Sequence, residues 1–246
     1  MASASAFSTR TEVGTLSLLH GFELSYGGQQ VFIPRSSQRL LAFVALHDRP
    51  LQRGYVAGNL WTDSSDERAA ANLRSALWRL NRDGWPLLEA KGSQLHVAAG
   101  LRVDIRDAIA RARSVLAGRV SPGDLSLYEI PLDCDLLPDW YDDWVLVERE
   151  RYRQLRLHAL EVLCDSLTKS RRFAEAVEAG LTAVAAEPLR ESAQRALITA
   201  HLAEGNQGEA IRQYRQFQHH LSVELGVQPS IDLQELMRGY VGEPAP

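Results

Sequence analysis

Short apolar runs open the sequence and predict β-strands. The runs Thr15–Leu19 and Phe22–Tyr26 precede the pair Gly27 and Gly28, and Val31–Ile33 follows that pair. A glycine pair between two short apolar runs is typical of a β-hairpin, because glycine adopts the left-handed backbone of a tight turn. The pattern therefore predicts a small sheet near the N-terminus.

A helical pattern follows these strands. Apolar residues at spacings of three and four predict a first helix, which Ser36 or Ser37 can cap at its N-terminus. A second, shorter helix is predicted over Gln52–Leu60.

The third predicted helix begins near Ser65, runs to about Arg82 and has two different faces. Ser64 and Glu67 have the spacing of a capping box at its start. At 100° per residue, an arc of about 100° is apolar. This buried stripe consists of Ala69, Leu73, Ala76, Leu77 and Leu80. The opposite arc spans about 160° and has no acidic residue. Apart from Ala71, it consists of Arg68, Asn72, Arg74, Ser75, Trp78, Arg79 and Arg82.

A second hairpin is predicted directly after this helix. Leu87–Ala90 and Gln94–Val97 are short strand-like runs, and Lys91 lies at the turn between them. The order of strands, three helices and a hairpin is that of a winged helix-turn-helix with an added N-terminal sheet.

The rest of the chain is predicted to be almost entirely helical. A connecting helix over residues 104–118 and a loop at Ser121–Gly123 precede an internal repeat with an offset of 34 residues. The matching pairs are Ala159 with Ala193, Leu163 with Leu197, Ala176 with Ala210 and Val177 with Ile211. This period is that of tetratricopeptide repeats, and Ile231–Val241 is expected to form a capping helix.

Charge divides the chain in the same place. Residues 1–100 contain ten Lys and Arg against eight Asp and Glu, whereas residues 101–246 contain 17 against 23. A weakly basic part joined to an acidic one suits two different partners, although the net charge of the whole chain is −4. Because no apolar run approaches the roughly 18 residues of a membrane span, we expect no contact with a membrane. Cys134 and Cys164 are too few and too far apart for a disulfide framework, and we interpret them as reduced thiols of a cytoplasmic protein.

Candidate catalytic and metal sites are weak. Gly27 and Gly28 lack the helix and third glycine of a dinucleotide loop, and adjacent His219 and His220 point in different directions on a helix. The acidic run from Asp133 to Asp143 is interrupted by aromatic residues. We interpret it as a connector packed on the helical domain, in preference to a cation site. The sequence predicts no enzyme activity, no cofactor and no metal.

The arginine-rich face of the third helix has two interpretations. It is either a solvated surface with local salt bridges or a DNA-contacting surface. Most of its arginines lack an acid three or four residues away, and an outward Trp78 suits packing on a sugar–phosphate backbone, so we favour DNA contact. The predicted DNA-binding residues are Arg68, Asn72, Arg74, Ser75, Trp78, Arg79, Arg82 and Lys91. Which of them read bases and which hold phosphates is left open.

At this point the sequence resembles the Streptomyces antibiotic regulatory proteins, actinobacterial activators that join an OmpR-type winged helix to a bacterial transcriptional activator domain. The resemblance covers about residues 14–241. It depends on LLAFVALHDRPLQRGYVAGNLW (40–61), ERAAANLRSALWRLNR (67–82), LLPDWYDDWVLVERERYRQLRLHALEVL (136–163), EPLRESAQRALITAHLAEGNQGEAIRQYRQF (187–217) and ELGVQPS (224–230).

The resemblance implies a mostly α protein, in which an OmpR-type winged helix-turn-helix (α+β) precedes an all-α, tetratricopeptide-like repeat domain. The expected boundaries are a disordered tail over 1–13, the winged helix over 14–104, a linker over 105–125, the activator domain over 126–241 and a tail over 242–246. The lack of a following nucleotide-binding or sensor domain suggests a small, stand-alone member. Asn81 and Ser93–Leu95 depart from the family's usual recognition-helix end and wing.

The resemblance also implies a function. Such proteins bind direct repeats in promoters, usually those of secondary-metabolite gene clusters, as side-by-side protomers that form a dimer on double-stranded DNA. They recruit RNA polymerase near the −35 element, through the sigma factor and the C-terminal domain of the alpha subunit. Two alternatives remain at this stage: a helical-repeat adaptor without specific DNA binding, and a regulator that senses a small molecule in the helical domain.

Overall fold

The computed structural model describes residues 14–81, 84–119 and 134–241. Contacts divide the chain into two compact units. The N-terminal unit contains residues 1–107 and 135–149, and the helical unit contains residues 108–134 and 150–246. This division differs from the predicted linear boundaries, because residues 135–149 belong with the N-terminal unit.

The elements follow the predicted order. The N-terminal unit contains β1 (Gly14–Ser17), β2 (Glu23–Tyr26), β3 (Gln29–Gln30), α1 (Arg35–Ala45), β4 (Leu51–Gln52), α2 (Arg53–Leu60), α3 (Asp66–Asn81), β5 (Leu88–Lys91), β6 (Gln94–Val97) and β7 (Leu101–Val103). The remaining elements are α4 (Asp104–Leu116), α5 (Asp143–Lys169), α6 (Phe173–Ala186), α7 (Glu191–Glu204), α8 (Gln207–Leu225) and α9 (Ile231–Met237). The predicted loop at 121–123 lies outside the described residues.

Two small sheets frame the first three helices. The first has the strand order β3-β2-β1-β7, and the second has the order β4-β6-β5. The second predicted hairpin is confirmed. The first also forms, with Gly27 and Gly28 at φ angles of 57° and 81°, but its second strand is Gln29–Gln30 and not the predicted Val31–Ile33. The sequence pattern missed β4 and β7. β7 pairs in parallel with β1, with Gly14 opposite Leu101, so the chain returns to the N-terminal sheet after the second hairpin.

The predicted serine cap of α1 is wrong. The helix begins at Arg35 after Pro34, and no side chain caps its N-terminus. Ser37 is instead fully buried, and its hydroxyl donates a 3.2 Å hydrogen bond to the carbonyl oxygen of Ala76 in α3. Contact between the two helices therefore draws the side chain inward, where it satisfies a partner on α3 rather than its own helix end.

The capping box predicted for α3 is also not formed among the described residues. The helix begins at Asp66, and the amide of Ala69 donates to the carbonyl of Ser65, which places Ser64 one position too early to cap it. The buried stripe is confirmed for four of its five residues, since Leu77 is half-buried.

The acidic and aromatic segment belongs to the N-terminal unit, whereas the sequence led us to expect a connector packed on the helical domain. We call residues 135–149 the docking segment. Leu136 forms a β-bridge with Leu19, and the amide of Leu137 donates to the carbonyl of Leu18. These backbone hydrogen bonds join the start of the docking segment to Leu18 and Leu19, the two residues that follow β1.

Aromatic and charged side chains attach the rest of the docking segment to α1. Trp140 is 4% exposed, and its ring stacks on Phe22 with centroids 5.8 Å apart. The guanidinium of Arg35 lies 3.6 Å above the Trp140 ring. The Nε of Arg39 donates a 2.8 Å hydrogen bond to Asp142. Asp142 of this segment is thus a partner for two arginines of α1.

The helical unit has the predicted repeat. In each of the four matched pairs the two residues lie at equivalent positions on α5 and α7, or on α6 and α8. Six of these eight residues are fully buried: Ala159, Ala193, Leu163, Leu197, Ala176 and Ala210. α9 closes the repeat as predicted, with Leu233 and Met237 buried in the same cluster as Phe217 of α8. The fold is therefore the expected tetratricopeptide-like stack.

Within the residues that the structure describes, no helix is both long and apolar enough to cross a membrane.

The docking segment should contribute to the stability of the N-terminal unit. We expect Trp140→Ala to lower its free energy of unfolding by about 3–5 kcal/mol, because the substitution leaves a large cavity beside Phe22. Hydrogen exchange of the β1 and β2 amides measures this quantity. The adjacent Tyr141 is 79% exposed, so Tyr141→Ala is the matched control, with an expected change within about 0.5 kcal/mol. Equal effects of the two substitutions would contradict the docking.

Close packing of α6 on α7 gives a second prediction. A Cβ atom at Gly180 would lie 3.0 Å from the Cβ and 3.2 Å from the Cα of Leu197, so backbone would have to move. We expect Gly180→Ala to destabilise the helical unit by about 1–3 kcal/mol, despite the higher helix propensity of alanine. Gly208 of α8 has open space around it, and Gly208→Ala should stabilise by about 0.4–1 kcal/mol. Urea unfolding followed by helical circular dichroism compares the two, and stabilisation by both would disprove the close approach.

Candidate nucleic-acid interface

Helix α3 presents the predicted polar face to solvent. Arg68, Arg74, Ser75 and Arg79 are exposed, and Asn72 is half-buried. Trp78 is 65% exposed, which is unusual for so large an aromatic side chain on a charged helix. Arg82 lies outside the described residues. The local sequence produces this face because the opposite stripe is apolar and packs against the rest of the unit.

The cations on this face lack acidic partners among the described residues. Arg68 and Arg74 form no ion pair there, and the described hydrogen bond of Arg79 is a 3.4 Å contact to the neutral hydroxyl of Ser36. Asp66 and Glu67 lie in the first turn of α3, where negative charge is favourable to the helix dipole. The salt-bridged surface that the sequence left open is therefore not formed in the part of the chain described.

The second hairpin lies beside α3. Lys91 is exposed at the end of β5, and it is opposite Gln94 across a turn at Gly92, whose φ is 59°. The amide of Arg53, at the start of α2, donates to the carbonyl of Ser93 in that turn. The Ser93 hydroxyl donates a 2.8 Å hydrogen bond to Gln52. These bonds hold the hairpin tip against the start of α2.

The predicted polar face is divided by its surroundings. A cleft of about 210 Å³ lies between α3 and the hairpin, and Arg74, Trp78 and Asn81 line it from the α3 side. Arg79 lies on another side of the helix and reaches Ser36 at the first turn of α1. The structure thus places six of the eight predicted residues on α3 but puts Arg74 and Arg79 in different environments.

Arg53 is a residue that the sequence analysis missed. It lines the same cleft from α2, and its buried Nε has no hydrogen-bond partner within the described ranges. The one signal in the sequence is a basic residue at the start of the helix that precedes α3. That signal alone does not show that its side chain faces Trp78, since α2 and α3 are separate elements.

The other candidate sites have weaker support as metal-binding or catalytic sites. Within the described residues, no three His, Cys, Asp or Glu side chains are grouped so that they could hold a metal ion. His219 and His220 are both exposed on α8. Burial raises the pKa of the Cys164 thiol to about 11, which disfavours the reactive thiolate at neutral pH.

A groove of about 290 Å³ lies between α5 and α7 in the helical unit. Its acids have partners, because Glu161 pairs with Arg190 and Asp165 pairs with Lys169. Its volume is close to the lower end of the range of about 300–1,000 Å³ that is typical of small-molecule sites.

Comparisons with known proteins identify the family. The sequence model of the bacterial transcriptional activator domain matches residues 96–239. The regulatory protein AfsR of Streptomyces coelicolor is 29% identical over 215 residues, which are 83% of this chain and 22% of AfsR. AfsR of Streptomyces griseus is 25% identical over 240 residues, which are 93% of this chain and 24% of that protein. The chain therefore spans less than a quarter of the length of these relatives.

A solved structure has the same fold. It is that of EmbR from Mycobacterium tuberculosis in complex with a low affinity phosphopeptide, with a TM-score of 0.68 and 20% sequence identity. The match covers 96% of this chain and 66% of the EmbR chain. Because the domain match covers more than half of the residues, this chain belongs to the bacterial transcriptional activator domain family.

Proposed function

We propose that this chain is a sequence-specific DNA-binding activator that places α3 in the major groove of promoter direct repeats. The observation that carries the proposal is the acid-free face of α3, with exposed arginines that have no ionic partner among the described residues. Unpaired guanidinium groups around an exposed indole have little structural purpose, whereas both suit a polyanion with stacked bases and sugars.

Groove dimensions support this placement. A helix with its side chains is about 10–12 Å wide, and the major groove of B-DNA is about 12 Å wide. Arginine can donate two hydrogen bonds to guanine, and asparagine suits adenine in the same way. Arg68, Asn72, Ser75 and Arg79 supply these donors on α3, and the exposed Lys91 on the hairpin suits a neighbouring phosphate.

The proposed activation step uses the helical unit. By resemblance to the family, we propose that side-by-side protomers on direct repeats recruit RNA polymerase through its sigma factor and the C-terminal domain of its alpha subunit. Exposed apolar residues near the end of α8 support a protein-contacting role. They are Val223, Leu225, Val227 and Ile231, with exposed fractions between 47% and 72%. Apolar side chains that stay exposed near one another in sequence commonly mark contact surfaces.

The alternative is a helical-repeat adaptor whose N-terminal unit contacts protein. It is favoured by the same exposed apolar residues, but it leaves the arginines of α3 unexplained. The two functions differ in salt dependence, because phosphate contacts release counterions.

Footprinting on DNA upstream of the protein's own gene, followed by anisotropy titrations with the protected duplex, tests the proposal. With six to ten phosphate contacts, affinity should fall by about 10³–10⁵-fold between 50 and 200 mM salt. The protected sequence should also outcompete a scrambled duplex of equal composition. The absence of a specific footprint at moderate salt would leave the adaptor function.

The proposal makes a prediction for Arg79, which has a neutral partner and faces away from the cleft. We expect Arg79→Ala to lose about 1–3 kcal/mol of binding free energy on the protected duplex and to relax its specificity at one base pair. Arg212 of α8, which is paired with Glu209, provides a control that removes the same charge elsewhere. If Arg79→Ala and Arg212→Ala bind alike, α3 is not the recognition helix.

A further inference from the structure

We propose that the cleft between α3 and the β5–β6 hairpin is a subsite for one sugar–phosphate unit of a DNA strand, in which Trp78 packs on the sugar and Arg53 and Arg74 hold phosphate. This inference rests on the proposed DNA binding and assigns a role within it. The cleft has a volume of about 210 Å³ and is lined by Arg53, Arg74, Leu77, Trp78, Asn81, Leu88, Ala90 and Leu95.

The positive charge of the cleft favours binding of an anion. Of the residues that the structure describes, two guanidinium groups and no carboxylate line the cleft, and neither arginine has an ionic partner among them. The Nε of Arg53 is buried and has no hydrogen-bond partner in the part of the chain that the structure describes. A phosphate carries negative charge and acceptor oxygens, and both features suit the two guanidinium groups that line the cleft.

The apolar residues of the cleft favour a ligand that has an apolar part beside its negative charge. Leu88 and Leu95 are buried at its floor, while Trp78 is 65% exposed at its side. An indole ring beside two cations matches the alternation of deoxyribose and phosphate along a strand. The volume is below the roughly 300 Å³ at which sites for drug-sized ligands begin, which favours a segment of a polymer over an enclosed small molecule.

This assignment divides the face of α3 by task. On a wheel of 100° per residue, Asn81, Arg74 and Trp78 fall within about 60° of one another, on the side of the hairpin. The base-reading candidates Ser75, Arg68, Arg79 and Asn72 lie within a second arc of about 60°, further round the helix. In this assignment the residues of the first arc contact one DNA strand and position the protein along it, and the residues of the second arc contact base edges in the major groove.

The experiment compares wild type, Arg53→Ala and Trp78→Ala on the footprinted duplex and on a scrambled duplex, from 50 to 200 mM salt. For Arg53→Ala we expect the salt slope to fall by about one, so that its affinity declines about fourfold less than that of wild type over this range. Trp78→Ala should weaken binding about 5- to 150-fold with an unchanged slope, since indole is uncharged. In both variants the ratio of specific to scrambled affinity should stay constant.

Two further variants serve as controls. Arg53→Lys keeps the charge and should keep the wild-type slope. Arg102, which is paired with Asp107 and lies outside the cleft, is the matched arginine, and Arg102→Ala should also keep that slope. Thermal melting of each variant separates lost folding from lost contact. Wild-type slopes for both Arg53→Ala and Arg102→Ala would overturn the subsite.

A scan with single methylphosphonate linkages sharpens the test, because each linkage replaces one charged phosphate by a neutral one. One linkage should weaken wild type and leave Arg53→Ala unaffected. Equal sensitivity of the two proteins at every linkage would overturn the inference while leaving DNA binding intact. If wild type does not prefer the footprinted duplex to the scrambled one, the result contradicts the proposed function itself and not only the subsite. Thermal stabilisation by thymidine 5′-monophosphate that Arg53→Ala abolishes would assign the cleft to free nucleotides instead.

Discussion

The attachment of the docking segment to α1 is the contact on which the N-terminal unit depends. Trp140 lies between Phe22 and the guanidinium of Arg35, and Asp142 accepts from Arg39. Trp144 meets Phe43 edge-on, with ring centroids 5.2 Å apart. An ion pair of this kind is worth little when fully exposed, but here it accompanies the burial of aromatic surface. The same α1 is bonded to α3 through Ser37 and Ala76, so the docking segment indirectly supports the helix proposed to enter DNA.

This arrangement also distributes the acids of the chain. Asp142 neutralises arginines of α1, and Asp104 accepts backbone hydrogen bonds from Leu18 and Leu19. Burial raises the pKa of the Asp104 carboxyl above its ordinary value, although these donors act against that shift. Asp104 and Asp142 are thus used in internal contacts, and no acid lies on the solvent face of α3 beyond its first turn. The local positive charge of α3 therefore survives in a chain whose net charge is −4.

Several features were predictable because they are encoded by local periodicity. The two hairpins, the apolar stripe of α3 and the 34-residue repeat all follow from which positions are apolar, and the structure has each of them. The exposed state of Arg68, Arg74 and Trp78 follows in the same way. The DNA-binding role of these residues is a proposal that derives from the face they share.

The sequence by itself determined which face of each element is buried, since spacing of two or of three and four sets that face. Only the tertiary structure decided which element covers it. It placed Ser37 against α3 rather than at a helix cap, and it paired β7 with β1 over a separation of more than 80 residues. It directed the docking segment to the N-terminal unit and brought Arg53 of α2 to the same cleft as Trp78. The physical reason is that periodicity specifies an apolar surface but not its partner, because burial is non-directional and many surfaces of similar size satisfy it.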